Sequence, residues 1–282
     1  MRGVRIGTDN IEFIAHNIRL DNGTYTKDTG YNSIEKLPSF TSAQRILNIL
    51  FPENKGNYRL ADLGCLEGGY AVEFARMGFQ VVGIEIRDAN MAACNYVKAN
   101  TNLPNLEFIQ DNALNIAKYG IFDAVFCCGL LYHLDKPKEF MSILSAITRR
   151  VLIINTHFST DNKRKVWPEI IRKLLFKVKK PADALRKYSL SSLTQNENLQ
   201  GRWYCEYPDD KAFENRENSR KASWDNRRSF WIQREYLLQV LYDVGFDVVL
   251  EQYDGLGPNI AEDMIKGNYK HESRGIFIGI KI

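Results

Sequence analysis

Two histidines stand where acid–base chemistry is useful, and three acids stand where a polar ligand can be gripped. His133 follows the apolar run Phe122–Cys128, inside the segment Cys128-Gly129-Leu130-Leu131-Tyr132-His133-Leu134, and His157 follows Val151–Asn155. An imidazole titrates near neutrality, so either ring can take the proton of a hydroxyl placed beside it. The chain has only two more histidines, His16 and His271; both lie in polar stretches, and solvent exposure is expected for them. Asp62, Glu85 and Asp111 each close a short apolar run. Glu85 is suited to taking two ribose hydroxyls in bidentate fashion, and Asp111 to accepting from an exocyclic purine amine. Asp62 stands beside a glycine turn, where it can orient the turn or accept from an ammonium.

The elements that position these groups read as alternating strands and helices. Arg59-Leu60-Ala61 predicts a buried strand, Asp62-Leu63-Gly64-Cys65-Leu66-Glu67-Gly68-Gly69 a turn, and Tyr70–Met77 a helix with Gly78 as its C-cap. Strand, glycine turn, helix brings bare backbone amides up to a nucleotide-like ligand. Two glycines in such a junction also occur for steric reasons alone, so the turn gains its weight from the acids Glu85 and Asp111 at the ends of the next two strands. Strands are expected at Gln80–Glu85, Leu106–Asp111, Phe122–Cys128 and Val151–Asn155, with helices at Ala89–Ala99 and Pro137–Thr148. Apolar strands alternating with helices indicate a parallel sheet covered on both faces. Ahead of it lies a polar lead-in, residues 1–58, with a helix from Thr41 or Ser42 to Phe51, stopped by Pro52.

The alternation breaks between Phe158 and Arg228. A helix is expected to start at Trp167-Pro168-Glu169 and to end at Lys179-Lys180-Pro181, where another can start, followed by polar sequence with scattered aromatics. This stretch holds 17 Lys and Arg against 10 Asp and Glu, so in a chain of net charge +4 the remainder carries −3. The basic character belongs to this segment, which reads as an inserted lid at 158–228 within a core of 1–157 and 229–282; a solvated surface loop is the plainer alternative. An amphipathic helix is expected from Trp231 to Val244, then strands at Phe246–Glu251 and Gly275–Ile282. The fold class is therefore α/β: a Rossmann-like, seven-stranded, mostly parallel sheet with helices on both faces, a terminal antiparallel pair and an inserted lid segment.

Composition is that of a globular protein, with 282 residues, 44% hydrophobic and 26% charged. No stretch approaches the roughly 18 apolar residues of a membrane span, and the first twenty residues hold no signal-peptide core. Five cysteines, an odd count without zinc spacing, argue for reduced thiols and a cytoplasmic protein.

The order Asp62-x-Gly64-x-x-x-Gly68, Glu85, Asp111, Phe122-Asp123 and then Cys128–Leu134 resembles the class I S-adenosylmethionine-dependent methyltransferases. The resemblance covers residues 59–157 and, more loosely, the tail from Ser229. It is nearest to bacterial enzymes with a GLLYHL-type segment and a Thr-His after the fifth strand, many of which methylate hydroxyls on sugars or small metabolites. It implies S-adenosylmethionine as cofactor and S-adenosylhomocysteine as product. Asp62, Gly64 and Gly68 would hold the methionine part, Glu85 the ribose, Asp111, Asn112 and Ala113 the adenine, with Ile86 flanking the ring and Cys65 and Gly129 also among the cofactor-binding residues. Leu66 departs from the commonest glycine pattern, in which a glycine stands there.

Transfer to an alcohol needs positioning and a base. His157 is favoured slightly as the base, with His133 positioning the acceptor or cofactor. Substrate contacts are expected from Tyr132, Arg202, Trp203, Glu206 and Trp231, where aromatics mix with charge. A divalent site on His133 and Asp135, joined by His157 or Glu206, has no ligand signature, and no metal is expected. Cys127 and Cys128 read as packing residues. O-methylation of a small anionic acceptor (a sugar, a nucleotide-linked or a phosphorylated metabolite) is the leading reading. RNA modification, a dinucleotide-dependent dehydrogenase and a non-catalytic cofactor-binding module are the alternatives.

Overall fold

Residues 4–6, 11–27, 32–160, 190–253, 260–266 and 273–282 are described in this computed structural model. The helices expected near Trp167 and Lys179–Pro181, and His271, lie outside the described residues. The chain opens with a short antiparallel pair, β1 (Val4–Ile6) and β2 (Ile11–Phe13), followed by α1 (Pro38–Leu50). That helix begins at a proline in its first turn, ahead of the expected start, and its first-turn position leaves no N–H unpaired.

The central sheet then builds from β3 (Arg59–Leu63), α2 (Gly69–Arg76), β4 (Gln80–Glu85), α3 (Asp88–Ala99), β5 (Leu106–Gln110), β6 (Phe122–Cys128), α4 (Pro137–Ile147) and β7 (Thr148–His157). With β11 (Val248–Gln252) and β12 (Arg274–Ile280) the strand order is β11-β12-β7-β6-β3-β4-β5. Strands β7, β6, β3, β4 and β5 run parallel, while β12 and β11 are antiparallel to their neighbours. The expected seven-stranded sheet is therefore present. Its strand order reverses beside β3, where crossovers leave in opposite directions and open a crevice at the carboxyl ends.

Successive strand residues face opposite layers. Leu60, Val81, Ala124, Phe126 and Ile153 pack with Phe40 and Leu47 of α1, Phe74 of α2 and Val97 of α3. Ala61, Leu63, Val82, Ile84, Val125, Leu152 and Ile154 pack with Phe140 and Leu144 of α4 and with Leu237 and Leu241 of α6 (Arg234–Asp243). Both faces are dry, which is why these strands read as continuous apolar runs.

The stretch expected to be an inserted lid holds strands the sequence did not announce. β8 (Thr194–Asn196) and β9 (Leu199–Cys205) form a hairpin, and β10 (Arg228–Ile232) pairs with β9 to make a three-stranded antiparallel sheet. Glu197 and Asn198 turn the hairpin with φ of +52° and +63°, the two-residue geometry that matches strand twist. Each Glu197 carboxylate oxygen accepts from a backbone N–H of α4, those of Lys138 and Glu139, both at 2.9 Å. The hairpin tip thus caps a core helix at its positive end. Trp231 lies inside β10 and does not start a helix; α6 begins three residues later. The run Phe230-Trp231-Ile232 is aromatic and β-branched, and pairing with β9 buries it, which outweighs helical periodicity. A short helix α5 (Asp210–Glu214) leads into residues 220–225, which cross the crevice; α7 (Ile260–Lys266) precedes β12.

Candidate functional site

The turn after β3 needs left-handed backbone at three places: Gly64 at φ +63°, Leu66 at +55° and Gly68 at +79°. A Cβ on Gly68 would sit 2.5 Å from the Phe108 ring, so only glycine fits there. Leu66 accepts the same backbone with a side chain, and its N–H donates to Glu85 Oε2 at 3.0 Å. Glu85 Oε1 takes the N–H groups of Ile86 and Arg87, both at 2.9 Å. Its carboxylate is thereby fixed at the end of β4, facing the crevice, with burial raising its pKa. Asp62 ends nearly buried at the floor, with Oδ2 lacking any hydrogen-bond partner. Burial pushes its carboxyl up to about 8, opposed by the Ala71 N–H and reinforced by Glu85.

Asp111 is more committed than the sequence suggests. Oδ1 accepts from the Asn112 N–H at 2.7 Å and Asn115 Nδ2 at 2.9 Å, and Oδ2 from the Tyr119 hydroxyl at 2.6 Å and the Lys118 ammonium. Burial opposes its charge, but Lys118 and the other donors outweigh it and hold the carboxyl well below its usual range. Asn112 accepts from the Leu114 N–H and donates to Asp225 Oδ1 at 2.6 Å, tying this wall to the inserted segment.

The lead-in folds over the turn through Glu67, whose fully buried carboxylate gathers the backbone N–H groups of Ile14, Ala15 and His16. His16 corrects the expectation of exposure. It lines the crevice, and its Nδ1 accepts from the Gly69 N–H at the first position of α2. From the other side, Arg220 donates to Glu67 Oε1, Asn90 Oδ1 and the Glu12 carbonyl. Arg87 donates to the carbonyls of Arg216, Ala222 and Ser223, and its guanidinium lies 5.1 Å from the Trp224 ring centre. The insertion is thus fastened across the crevice.

His133 lies in a 3-10 turn, Leu131–His133, with its ring in the crevice wall. Its Nδ1 is 2.8 Å from Glu206 Oε1, a carboxylate delivered by the inserted segment just after β9 and only 2% exposed. Glu206 also accepts from the Ser229 hydroxyl at 2.7 Å and the Ser223 N–H. Burial resists its ionisation, but the His133 imidazole, Ser229 and Ser223 prevail and hold it below the usual range. An ionised Glu206 requires the proton on Nδ1, so the tautomer of the neutral ring that fits this pair has its lone pair on Nε2.

His157 is held differently. Nδ1 donates to the Ser273 carbonyl at 2.9 Å, and the ring stacks on Trp231 at 4.9 Å and 11°. It meets the Tyr132 ring edge-on at 4.6 Å and does not line the crevice; neither do Arg202, Trp203, Glu206 or Trp231. Burial pushes the Cys127 and Cys128 thiols up, so neither is a thiolate at neutral pH.

Asp62, Gly64, Cys65, Glu85, Ile86, Asp111, Asn112, Ala113, Gly129, Tyr132 and His133 are brought together around one crevice of about 1150 Å³ including its open mouth. Gly68 supports the turn from behind. His16, Glu67, Arg87, Arg220 and Arg274 were missed; the only local signal was an acid, Glu67, inside a glycine turn. Among the described residues no group of three or more His, Cys, Asp or Glu is placed to hold a metal ion. No described helix is long and apolar enough to cross a membrane.

Residues 61–174 match the family model described as a methyltransferase domain. A protein of Geobacillus sp. (strain WCH70) named as a methyltransferase is 36% identical over 86 residues, 30% of this chain and 34% of that protein. The ubiquinone biosynthesis O-methyltransferase of Albidiferax ferrireducens is 28% identical over 93 residues, 32% of this chain and 37% of that one. The match thus spans about a third of the curated relatives' length. The N-terminal domain of EvdMO1, crystallised in the presence of SAH and D-fucose, shares the fold at TM-score 0.59 and 19% identity, covering 92% of this chain and 88% of that one. Fold, crevice and domain match point to one class: over residues 61–174 the chain is similar to a methyltransferase domain, the class that takes its methyl group from S-adenosylmethionine. The residues present fit that cofactor, because the orphaned Asp62 oxygen needs a donor such as the ammonium and Glu85 faces the crevice beside bare backbone.

Proposed function

We propose that the chain transfers a methyl group from S-adenosylmethionine to a hydroxyl of a small, anionic acceptor of the sugar, nucleotide-linked or phosphorylated type, with His133 as general base. The observation that carries this reading is the His133–Glu206 pair at the crevice wall. When bound, S-adenosylmethionine supplies an electrophilic methyl on a sulfonium. Asp62, Glu85 and the turn Gly64–Gly68 would hold it, with Asp62 accepting from the ammonium and Glu85 from the ribose hydroxyls. Asn112 and Ala113 would border the adenine end. His133 Nε2 takes the acceptor's proton as its oxygen attacks, and Glu206 stabilises the imidazolium that forms. His157, packed between Trp231 and Ser273, supports Tyr132 from behind. Oxygen as the acceptor atom agrees with the name of the Albidiferax relative.

Four of the described cations of this stretch favour a small acceptor over RNA. Arg202 donates to the Ser191 and Thr160 carbonyls, Arg220 pairs with Glu67, Arg227 with Asp210, and Arg216 packs on Trp224. These cations fasten the segment and do not form an open stripe for phosphates.

The test incubates the protein and methyl-labelled S-adenosylmethionine with cell extract, then separates RNA, protein and small-molecule plus glycan fractions. Label is expected in the last fraction, lost with His133→Ala and retained in good part with His157→Ala. Label in nuclease-sensitive material would replace this reading with RNA modification.

A further inference from the structure

Arg274 opens β12 opposite His157 in the sheet register, and its side chain reaches the crevice at the carboxyl ends of β6 and β7. Its Nε donates to Asn155 Oδ1, and its Nη2 lies 3.8 Å from the Cys128 sulfur. The guanidinium carbon is 5.7 Å from the Tyr132 ring centre. These partners are a neutral amide, a weak sulfur acceptor and a ring. No carboxylate among the described residues pairs with Arg274.

The neighbouring cations differ. Arg220 is paired with Glu67, Arg87 is spent on three main-chain carbonyls, and Lys221 reaches the Ile14 carbonyl. A guanidinium carries five N–H donors in a planar fork, and Arg274 uses one strongly and one weakly. The edge left over meets the space in front of Gly129, which has no side chain to fill it. A cation withdrawn from water without a counter-charge is costly, and a planar fork is matched by the two oxygens of a carboxylate or phosphate.

We propose that Arg274 is the receptor for an oxyanion in this crevice, a carboxylate or phosphate held beside Tyr132. The inference rests on the methyl-transfer reading and adds to it the atom group by which the acceptor is recognised. Tyr132 connects the two functions: its ring lies 4.2 Å from the His133 ring and faces the Arg274 guanidinium. An acceptor gripped at Arg274 is therefore one small molecule's length from the base. The same chemistry has a second source, the carboxylate of the cofactor itself, and the experiment separates the two.

Wild-type protein saturated with S-adenosylhomocysteine is titrated with inorganic phosphate at constant ionic strength, following the melting temperature. Calorimetry then gives the Kd of S-adenosylhomocysteine and of its decarboxylated analogue, for wild type, Arg274→Met and Arg274→Lys. Arg274→Met is expected to weaken the phosphate response by about tenfold or more, with Arg274→Lys between the two, because it keeps the charge and loses the fork. Unchanged affinity for S-adenosylhomocysteine together with a lost phosphate response assigns the oxyanion to the acceptor. An affinity about tenfold weaker, with the decarboxylated analogue bound equally by all three proteins, assigns it to the cofactor. A wild type that ignores phosphate while Arg274→Met binds S-adenosylhomocysteine as wild type does, or an Arg274→Met protein that binds phosphate and S-adenosylhomocysteine as wild type does, overturns the proposal. If Arg274→Met does not fold, Arg274→Lys carries the same comparison. None of these readouts needs turnover, so failure to find a methylated oxygen would sink the functional reading and leave the anion result standing.

Discussion

His16 Nδ1 accepts a hydrogen bond of 3.1 Å from the Gly69 N–H, the amide that opens α2. A helix leaves its first amides without intrahelical partners, and here a residue 53 positions earlier supplies one. The bond requires a neutral ring, because a protonated imidazole has no lone pair to offer.

That requirement sets a pH dependence. Burial lowers the His16 pKa to about 4, with Lys27 and Lys221 acting in the same direction and Glu67 against them. An unfolded imidazole takes its proton near 6.5, so the contribution of His16 to stability is complete above that pH. It is lost as pH falls from about 6.5 to about 4, at a slope approaching roughly 1.4 kcal/mol per pH unit. Urea unfolding across this window should show the loss in wild type, and His16→Asn should flatten it. Equal slopes in the two proteins would refute the assignment.

Asp62 behaves in the opposite sense. Burial keeps its carboxyl protonated up to about 8, whereas an unfolded aspartate ionises near 3.8. Its contribution to stability is therefore greatest below about 3.8 and declines as pH rises towards 8. A bound ammonium reverses the preference, so S-adenosylhomocysteine should release a proton at pH 7 and bind more tightly as pH approaches 8. Calorimetry in buffers of different ionisation enthalpy reads the proton directly. Asp62→Asn should abolish the release and weaken binding by about 10- to 100-fold, the cost of a lost charge-assisted contact.

The base assignment separates two histidines that look equivalent in sequence. His133→Ala should lower kcat by about 10²- to 10⁴-fold. Glu206→Gln should lower it by a comparable factor, because an amide can hold the ring in the wrong tautomer. Both should leave the Kd of S-adenosylhomocysteine within about threefold, since neither residue contacts it in this reading. A larger loss in His157→Ala than in His133→Ala would reverse the roles.

Gly68 offers a stability test of the turn. With φ at +79° and the Phe108 ring 2.5 Å from any added Cβ, Gly68→Ala should cost about 2–4 kcal/mol in urea unfolding, combining overpacking with backbone strain. A loss below about 1 kcal/mol would mean the turn relaxes without difficulty.

The sheet was legible because its inner strands are buried on both faces and read as continuous apolar runs; Arg59–Leu63, Gln80–Glu85 and Phe122–Cys128 need no distant partner to be recognised. Asp62 and Glu85 could be placed because a strand end fixes them. The crevice walls were not legible for the opposite reason. Glu67 meets Arg220 across 153 residues and His133 meets Glu206 across 73, and no local period encodes such pairs. His16 looked solvent-exposed because it stands in a polar lead-in outside the sheet, yet its own amide and those of Ile14 and Ala15 are spent on Glu67. Trp231 shows a misread period: its apolar spacing suits a helix, but the strand that pairs with it lies 29 residues away in sequence.

Arg87 holds the inserted segment by the main-chain oxygens of Arg216, Ala222 and Ser223. Every amino acid has such an oxygen, so these three contacts do not depend on which side chains stand there, while the side chain of Arg220 adds its own hold on Glu67. Ala222, which lines the crevice, can therefore be exchanged by evolution or by an engineer to suit a new acceptor with the strap still in place.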